Sequence, residues 1–466
     1  MRDIILSLII VGLLPACFRR PFVGLIVFSW LAYMRVQDLT WGFARTFRWS
    51  YTIALVTFAG FFLGEKRRLF LPDLRCYIMI LMVALVGIGI LLSHNPDPVQ
   101  IKRFFEFGKI VIIALFTSTV VRTREHLRVL IWVIAGSFAF YGVKSGVWGI
   151  LTGGQTAILR GPGGMLQDNN DFSLALCMAV PILLHVGLSE KNELLRRAFL
   201  VSVPLTVITV GLTQSRGGFL ALAGTLGVLT WRSRNRVAAI SLMVLVGLSA
   251  LVLAPQEYKD RIYSIKDYEE DSSAQARFRA WAVASRMALD NPFFGVGLAK
   301  FRQHYLDYEP HPTPLQLSGK GVYVAHNSYL QIWAEVGTPA FALYLLLIGM
   351  TFWTIWRVRA EARRRYFSSW IIHYATMFEA ALVAFIIGST FLNRAHFDLF
   401  YHFVAIVMVY GYIAKEEMRD ETLYPVRATG VRGEIQLTQR PGFGRRLRGR
   451  GFRRTPLQPG LNVARR

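Results

Sequence analysis

A histidine and an asparagine open one of the apolar segments of this 466-residue chain. His326 and Asn327 stand immediately before the apolar residues that follow Ser328. An imidazole has an unperturbed pKa of about 6.5, so it can accept a proton from a hydroxyl near neutral pH. A single histidine is more often structural than catalytic. His326 therefore has two interpretations, a general base at the mouth of a membrane span or a packed side chain.

An arginine, Arg216, lies between two adjoining apolar segments, after Ser215 and before the pair Gly217-Gly218. Small residues such as glycine let helices approach closely. A guanidinium group presents a planar fork of donors that suits a phosphate. The alternative is that Arg216 only extends its charge to the membrane interface, as arginines near helix ends often do.

A second arginine, Arg277, begins the stretch Arg277-Phe278-Arg279-Ala280-Trp281, and a turn rich in proline and glycine follows at residues 292–297. Arg277 could bind an anion, or it could pair with the acidic run at residues 269–271. Arg279 is two positions further on and faces away from Arg277 if this stretch is a helix. We therefore assign Arg279 a structural role.

A third arginine, Arg160, begins a glycine-rich loop at residues 160–164, which is followed by the four polar residues 168–171. Such a loop could hold an anion through its backbone N–H groups. The alternative is a turn followed by a helix whose N-cap is Asn170 or Asp171.

The sequence offers no metal or cofactor site. It contains no H-E-x-x-H, no ligand-like cluster of carboxylates, and no Walker or Rossmann glycine motif. The cysteines are Cys17, Cys76 and Cys177, an odd number without a C-x-x-C pair. We expect them to be small buried apolar residues, and we expect a protein that works without cofactor or metal.

The elements that must position these residues are membrane helices. Residues 76–93, 198–215, 237–256 and 336–356 carry no charge, and 53% of the whole chain is hydrophobic. About 20 predominantly apolar residues cross a bilayer, and only helices or closed barrels satisfy the backbone there. The sequence therefore predicts an all-α, polytopic membrane protein.

The basic residues predict the orientation of the spans. The net charge of +24 lies mainly in short loops and a tail, which the positive-inside rule explains without nucleic acid. The basic loops at 65–68, 122–124, 196–197, 232–236 and 363–365 are assigned to the cytoplasm, and those at 94–103, 152–171, 214–217, 257–326 and around Arg394 to the opposite side. The apolar segments run over 4–18, 21–37, 50–64, 76–93, 104–121, 129–151, 172–189, 198–213, 216–231, 237–256, 327–356, 367–393 and 395–414.

These segments divide the chain into four regions. Residues 1–256 form N-terminal transmembrane helices, residues 257–326 a large periplasmic loop, residues 327–414 C-terminal transmembrane helices, and residues 415–466 a basic cytoplasmic tail expected to be disordered and to touch anionic lipid. The loop should contain an amphipathic helix over 274–290 that ends at Asn291-Pro292. Segment 4–18 is short for a crossing, so we expect a half-helix with its N-terminus inside, leaving about 12 full spans.

In order along the chain, these motifs resemble the O-antigen ligase/polymerase superfamily of bacterial inner-membrane glycosyltransferases. That family's signature is His, then Asn/Ser/Gln, nine residues, Gly, two residues and Gly/Thr/Tyr. Here it is His326-Asn327, Gly337 and, as a departure, Ala340. The Ser215-Arg216-Gly217 turn, Arg277 with Trp281, and the P-x-x-G-x-G of residues 292–297 match as well. The resemblance covers most of residues 20–415, and the loop at 160–171 is similar to exosortase-associated O-glycosylation ligases.

The resemblance implies a fold, a reaction and a place. The fold is a GT-C-like bundle in the bacterial inner membrane, with its active site facing the periplasm. The reaction moves a glycan from undecaprenyl diphosphate to a hydroxyl acceptor, preferably lipid A–core of lipopolysaccharide, without metal and with inversion. His326 would be the catalytic base, and Arg216, Arg277 and Arg160 would bind the diphosphate, with Lys102 or Arg103 as weaker candidates.

Other functions stay open on the sequence alone. A repeat-unit polymerase or a protein O-glycosyltransferase would use the same donor with another acceptor. A transporter or flippase is the alternative of another class. The chain shows no repeat between its halves, and its candidate charges cluster at one face rather than at mid-membrane, which favours the glycosyltransferase. A purely structural scaffold would leave the outer arginines and His326 without a role.

Overall fold

The computed structural model describes residues 1–64, 70–93, 96–233, 235–237, 240–241, 272–319, 321–365, 369–393 and 395–420. The predicted span at 237–256, the acidic run at 269–271, the turn at Arg394 and the tail beyond residue 420 lie wholly or mostly outside these residues. The helices are α1 (Arg2–Arg19), α2 (Pro21–Met34), α3 (Phe43–Thr46), α4 (Trp49–Leu63), α5 (Leu74–Leu92), α6 (Pro98–Val120), α7 (Arg124–Leu151), α8 (Asn169–Ser189), α9 (Glu193–Leu212), α10 (Arg216–Arg232), α11 (Ser272–Asp290), α12 (Pro314–Leu317), α13 (Ser328–Val336), α14 (Thr338–Arg365), α15 (Ser369–Ser389) and α16 (Asp398–Arg419).

The all-helical prediction is confirmed for the described part of the chain. Seven of its helices, α5, α7, α8, α9, α14, α15 and α16, are long and apolar enough to cross a membrane, and α2 and α4 are shorter apolar helices. This makes the chain a multi-pass helical membrane protein. The total of about 12 spans stays a prediction.

The centre of the bundle is formed by α16, α8 and α15. Of the most apolar window of each helix, 83% is buried in α16, 78% in α8 and 61% in α15, against 28% in α9. Hence α16, α8 and α15 face protein, whereas α9 leaves most of its surface for lipid. The three cysteines are buried and unpaired, as expected.

Helix α1 contains the predicted segment 4–18 and is 18 residues long. It is not among the seven helices that are long and apolar enough to cross a membrane, so the half-helix stays a prediction. At its start, the Asp3 Oδ1 atom accepts hydrogen bonds from the N–H groups of Gly42 (2.9 Å) and Ala44 (3.1 Å), which precede α4. The start of α1 is therefore fixed against the segment that precedes α4.

Several other boundaries differ from the expected ones, and three of them bear on the site or on the tail. Helix α6 begins at Pro98 rather than at 104, so Lys102 lies within the helix. The predicted segment 327–356 is two helices that break at Gly337, where φ is +90°. Helix α16 continues to Arg419, past the start expected for the tail at 415.

Contacts join residues within each of the two predicted sets of loops. At the basic end, Arg122 stacks on Tyr412, and Arg124 stacks on Trp370 at 4.7 Å. At the other end, the Asn169 Nδ2 atom donates to the Thr213 carbonyl oxygen over 2.9 Å. The alternation of loops predicted from charge and the assignment of one end to the periplasm stay predictions.

Candidate active site

A cavity of about 1830 Å³ opens beside the ends of α6, α13 and α16 at the end of the bundle opposite the basic loops. One wall comes from α2, α4, α6 and the segment between α2 and α4. The other comes from the loop before α8, the residues around α13, and the segment between α15 and α16. Elements far apart in sequence therefore meet around one space, and His326 lies on its wall.

The backbone on both sides of His326 is fixed. The Trp281 Nε1 atom donates to the Ala325 carbonyl oxygen over 2.8 Å. The Asn327 side chain is the N-cap of α13 and accepts from the N–H groups of Tyr329 (3.0 Å) and Leu330 (3.1 Å). His326 itself has a φ of +45°, in the left-handed region, which non-glycine residues enter only where the surroundings enforce it. This arrangement presents the imidazole in a defined place on the cavity wall.

The surroundings of His326 favour its neutral form. Burial lowers the pKa of this imidazole below 6.5, the positive charge of Arg277 lowers it further, and the carboxylate of Asp168 partly opposes both. A group with a pKa below 6.5 is mostly unprotonated at pH 7. His326 is therefore ready to accept a proton.

Arg277 lies on α11, and the predicted helix over 274–290 is confirmed. Buried residues of this helix, including Ala280 and Met287, pack against Phe301 and Tyr305. The packing fixes α11 beside the loop that carries His326, so Arg277 acts on the imidazole by its charge.

Arg216 is the first residue of α10, and the turn before it is bonded to the loop of Arg160. The Ser215 Oγ atom accepts from the Gly218 N–H over 3.0 Å and donates to the Asn170 Oδ1 atom over 2.7 Å. A Cβ atom on Gly217 would lie 2.8 Å from the Phe391 Cβ atom, so the turn is packed against the end of α15.

The loop of Arg160 folds back on itself before α8. Arg160 forms an antiparallel bridge with Asp168. The helix is capped by Asp168, whose Oδ1 atom accepts from the Asn170 N–H over 2.8 Å. The expectation that Asn170 or Asp171 supplies this cap is therefore wrong. Asp168, the first of the polar residues 168–171, is the N-cap. Asn170 instead accepts a hydrogen bond from Ser215.

The turn at residues 292–297 packs against the end of α13. The Thr338 N–H donates to the Pro292 carbonyl oxygen over 2.7 Å, and the Gly297 N–H to that of Glu335 over 3.1 Å. A Cβ atom on Gly295 would lie 2.4 Å from the Ala334 carbonyl oxygen, and one on Gly337 would lie 2.4 Å from that of Phe293. The glycines of both motifs are explained by this close approach of two backbones.

The predicted anion-binding residues fall into two groups. Among the described residues, Arg160, Arg216 and Arg277 do not line the cavity, whereas Lys102 and Arg103 do. Helix α6 places the latter two on its first turns, facing the space. Other cations line the same space: Arg35, Arg45, Arg48, Lys109 and Arg302. These cations form a cationic wall that the sequence motifs did not single out. The cavity is also lined by carboxyl groups: Glu106, Asp168, Asp171, Glu335 and Asp398.

Several polar cavity residues were missed. Glu335 is 3% exposed, and burial raises the pKa of its carboxyl to about 7. Asn393, His396 and His402 line the same space. His402 falls within the predicted span 395–414, and an ionisable residue in a span is itself a sign of function. That signal could have found it.

Glu335 also joins the segment of Phe301 to its own helix, α13. Its Oε1 atom accepts from the Phe301 N–H over 3.4 Å, and its Oε2 atom accepts from the Gln331 Nε2 atom over 3.2 Å. Within the described residues, no group of three or more His, Cys, Asp or Glu side chains is placed to hold a metal ion.

Comparison with known proteins gives two family matches. Residues 201–345 match the family described as O-Antigen ligase, and these residues include Arg216, Arg277 and His326. Residues 1–191 match a family of unknown function (DUF5935). An uncharacterized protein of Haemophilus influenzae is 26% identical over 199 residues, which are 39% of this chain and 48% of that protein. The chain thus spans about half the length of that relative.

Proposed function

We propose that this membrane protein, whose residues 201–345 match the family described as O-Antigen ligase, is a glycosyltransferase of the bacterial inner membrane. It moves a glycan from undecaprenyl diphosphate to a hydroxyl acceptor at the periplasmic face. Lipid A–core of lipopolysaccharide is the preferred acceptor. The reaction proceeds without metal and inverts the anomeric carbon.

The observation that carries the proposal is the position of His326. Its imidazole lies on the wall of a cavity of about 1830 Å³, and burial together with Arg277 keeps its pKa below 6.5. A neutral imidazole facing a space large enough for a glycan suits a general base. Among the described residues, no other group combines the family motif, a place on the cavity wall and a neutral imidazole whose flanking residues are hydrogen-bonded on both sides.

In the proposed reaction, His326 accepts the proton of the acceptor hydroxyl as its oxygen attacks the anomeric carbon. The bond from that carbon to the diphosphate oxygen breaks, and its electron pair leaves with the diphosphate. Arg216 and Arg277 stabilise the charge that develops there. Attack opposite to the leaving group inverts the anomeric carbon.

The cavity suits a lipid diphosphate in two ways. Its cationic wall, with Lys102 and Arg103, supplies further charge near the site. Beside it, apolar residues of α2, α4 and α6 form a wall suited to a polyprenyl chain: Phe28, Ala32, Ala54, Leu55, Phe58, Ile110, Ile112 and Ile113. The polyprenyl chain would lie against this wall, between the helices.

The direct test replaces the base. His326→Ala should abolish glycan transfer by the purified protein, measured as labelled acceptor, while the amount of protein in the membrane stays unchanged. His311→Ala is the matched control, because His311 is exposed and does not line the cavity. Transfer retained by His326→Ala would remove His326 from the role of base.

The diphosphate assignment has its own test. Arg216→Ala and Arg277→Ala should weaken binding of undecaprenyl diphosphate, whereas Arg279→Ala, which changes an exposed neighbour of Arg277, should not. If neither variant changes binding and Lys102→Ala does, the cationic wall of α6 is the diphosphate site. The lipopolysaccharide profile of a deletion strain tests the acceptor: a ligase defect leaves bare core and accumulates carrier-linked polymer.

A further inference from the structure

Among the described residues, five side chains on the cavity wall carry a buried polar atom without a hydrogen-bond partner. Two of them, Ser29 and Gln37, belong to α2 and the segment that follows it. The other three lie close together in sequence, between α15 and the first turns of α16. Their unpaired atoms are the Oδ1 atom of Asn393 and the Nε2 atoms of His396 and His402. All three residues line the cavity, and each of these atoms is shielded from bulk solvent. Leaving a buried polar atom unpaired is costly, so such atoms point to a partner that the protein is built to receive.

His402 is the most strongly fixed of the three. The residue is 5% exposed, and its Nδ1 atom is bound to the Tyr33 hydroxyl over 2.5 Å. The two rings also lie nearly parallel, with centroids 5.8 Å apart. Since Nδ1 is occupied, only Nε2 can serve a ligand. Tyr33 is therefore a positioning residue for His402.

His396 is held as an uncharged group. Its ring meets Phe107 at right angles, with centroids 4.6 Å apart. Burial and the nearby charge of Arg103 lower the pKa of this imidazole to about 4. At neutral pH it offers one hydrogen-bonding nitrogen and no charge.

These residues are close to the proposed base. The Ser328 Oγ atom donates to the Leu392 carbonyl oxygen over 2.8 Å, which fixes the residue before Asn393 against the start of α13. The Ala395 N–H lies 3.5 Å from the Oε1 atom of Gln331, which is also a residue of α13. The set therefore extends from the His326 end of the cavity towards the inner turns of α16.

The chemistry of this set is that of a sugar site rather than a phosphate site. A phosphate would be met by arginine or lysine, and such cations lie on α6 and between α2 and α4. An amide and two uncharged imidazoles beside aromatic rings instead suit hydroxyl groups, each of which can donate and accept. Hydrogen bonds of this kind discriminate strongly, because a ligand that lacks the matching hydroxyl leaves the protein group unpaired.

We propose that Asn393, His396 and His402 form a subsite for the sugar attached directly to the diphosphate of the donor. The inference rests on the proposed function, since that function places the anomeric carbon of this sugar next to His326. Tyr33 orients the imidazole of His402 in this subsite.

The test compares carriers with and without a sugar. Binding of undecaprenyl diphosphate is measured against undecaprenyl-diphosphate-N-acetylglucosamine and undecaprenyl-diphosphate-galactose, using the full-length protein in nanodiscs. We expect wild type to bind at least one sugar-bearing carrier more tightly than the bare carrier. His396→Phe, His402→Phe and Asn393→Leu should each reduce that preference by about fivefold, as expected for one lost hydrogen bond, and leave the bare carrier unaffected.

Two controls make the result specific. His185→Phe changes a histidine of α8 that does not line the cavity, so its preference should match wild type. Tyr33→Phe should reduce the preference for the sugar-bearing carrier, because it removes the hydrogen bond that orients His402. In a protein that already carries His402→Phe, adding Tyr33→Phe should not change the preference further. The thermal transition of every variant shows whether it is folded. Because the three substitutions are tested separately, the other two still test the subsite if one variant misfolds.

The outcomes separate the two proposals. If wild type binds the bare carrier but prefers neither sugar-bearing one, or if the variants keep the preference, the subsite is wrong and the proposed function stands. If wild type binds none of the three carriers, the donor assignment fails, and the subsite fails with it.

Discussion

The Ser215 hydroxyl donates a 2.7 Å hydrogen bond to the Oδ1 atom of Asn170, and this bond joins the turn of Arg216 to the loop of Arg160. The two elements are 45 residues apart in sequence. Because the same Ser215 oxygen also caps α10 by accepting from Gly218, one side chain both starts the helix and fixes the loop. The position of Arg216 therefore depends on Asn170.

Two substitutions separate these effects. Asn170→Ala removes the bond between the loop and the turn but leaves the cap of α10, so it should lower glycan transfer several-fold with little change in stability. Ser215→Ala removes both bonds and should cost about 1 kcal/mol of unfolding free energy, the usual effect of losing a serine N-cap. Transfer rates and thermal transitions of the two variants check this. Equal transfer by Asn170→Ala and wild type would show that the loop is not needed to place Arg216.

Gly337 illustrates a requirement for glycine that can be tested by stability alone. Its φ is +90°, and a Cβ atom there would lie 2.4 Å from the Phe293 carbonyl oxygen. Gly337→Ala should lower the unfolding free energy by about 2 kcal/mol or more, from backbone strain and displacement of the 292–297 turn. Gly349→Ala is the matched control. It lies within α14 with no atom within 4 Å of an added Cβ, so it should not destabilise the protein.

Glu335 should make the stability of the protein depend on pH. Burial raises the pKa of its carboxyl from 4.5 to about 7. Below pH 4.5 the group is protonated in both folded and unfolded protein. Between 4.5 and 7 the unfolded chain loses this proton first, so the stabilisation is lost as pH rises. Relative to Glu335→Gln, wild type should therefore lose stability over this range, by about 3 kcal/mol at most.

Thermal unfolding at pH 5 and pH 8 measures this effect as the difference between wild type and Glu335→Gln. Asp290→Asn provides the control, because Asp290 is exposed at the end of α11 and should follow wild type at both values. A constant difference between wild type and Glu335→Gln would show that the carboxyl is not titrating in this range.

The sequence was sufficient where the signal is local. The helix that carries Arg277 ends where Asn291-Pro292 predicts, because proline cannot continue a helix. Asn327 caps α13 for an equally local reason.

The sequence was insufficient where the signal is tertiary. Lys102 and Arg103 looked like loop charges because a helix facing lipid would exclude them, but α6 turns them towards a polar cavity. The break at Gly337 depends on contact with Phe293, which lies 44 positions away. His402 carries a sequence signal as an ionisable residue in a predicted span, but its place with His396 on the wall that carries His326 is seen only in the fold.

The pH dependence of transfer offers the sharpest test of His326 as the base. Burial and Arg277 lower its pKa below 6.5, while Asp168 raises it. Transfer requires the neutral imidazole, so activity should be intact at pH 7 and fall only below pH 6.5. Arg277→Gln removes a charge that lowers this pKa, so its acid limb should move to higher pH. Asp168→Asn should move it to lower pH. The rate of transfer is measured against pH at saturating donor, so that weaker donor binding by a variant does not distort the profile. The pH at the midpoint of the acid limb is compared between variants, not the maximal rate. Shifts in the same direction, or midpoints identical to wild type in both variants, would mean that another group sets the acid limb and that His326 is not the residue that accepts the proton.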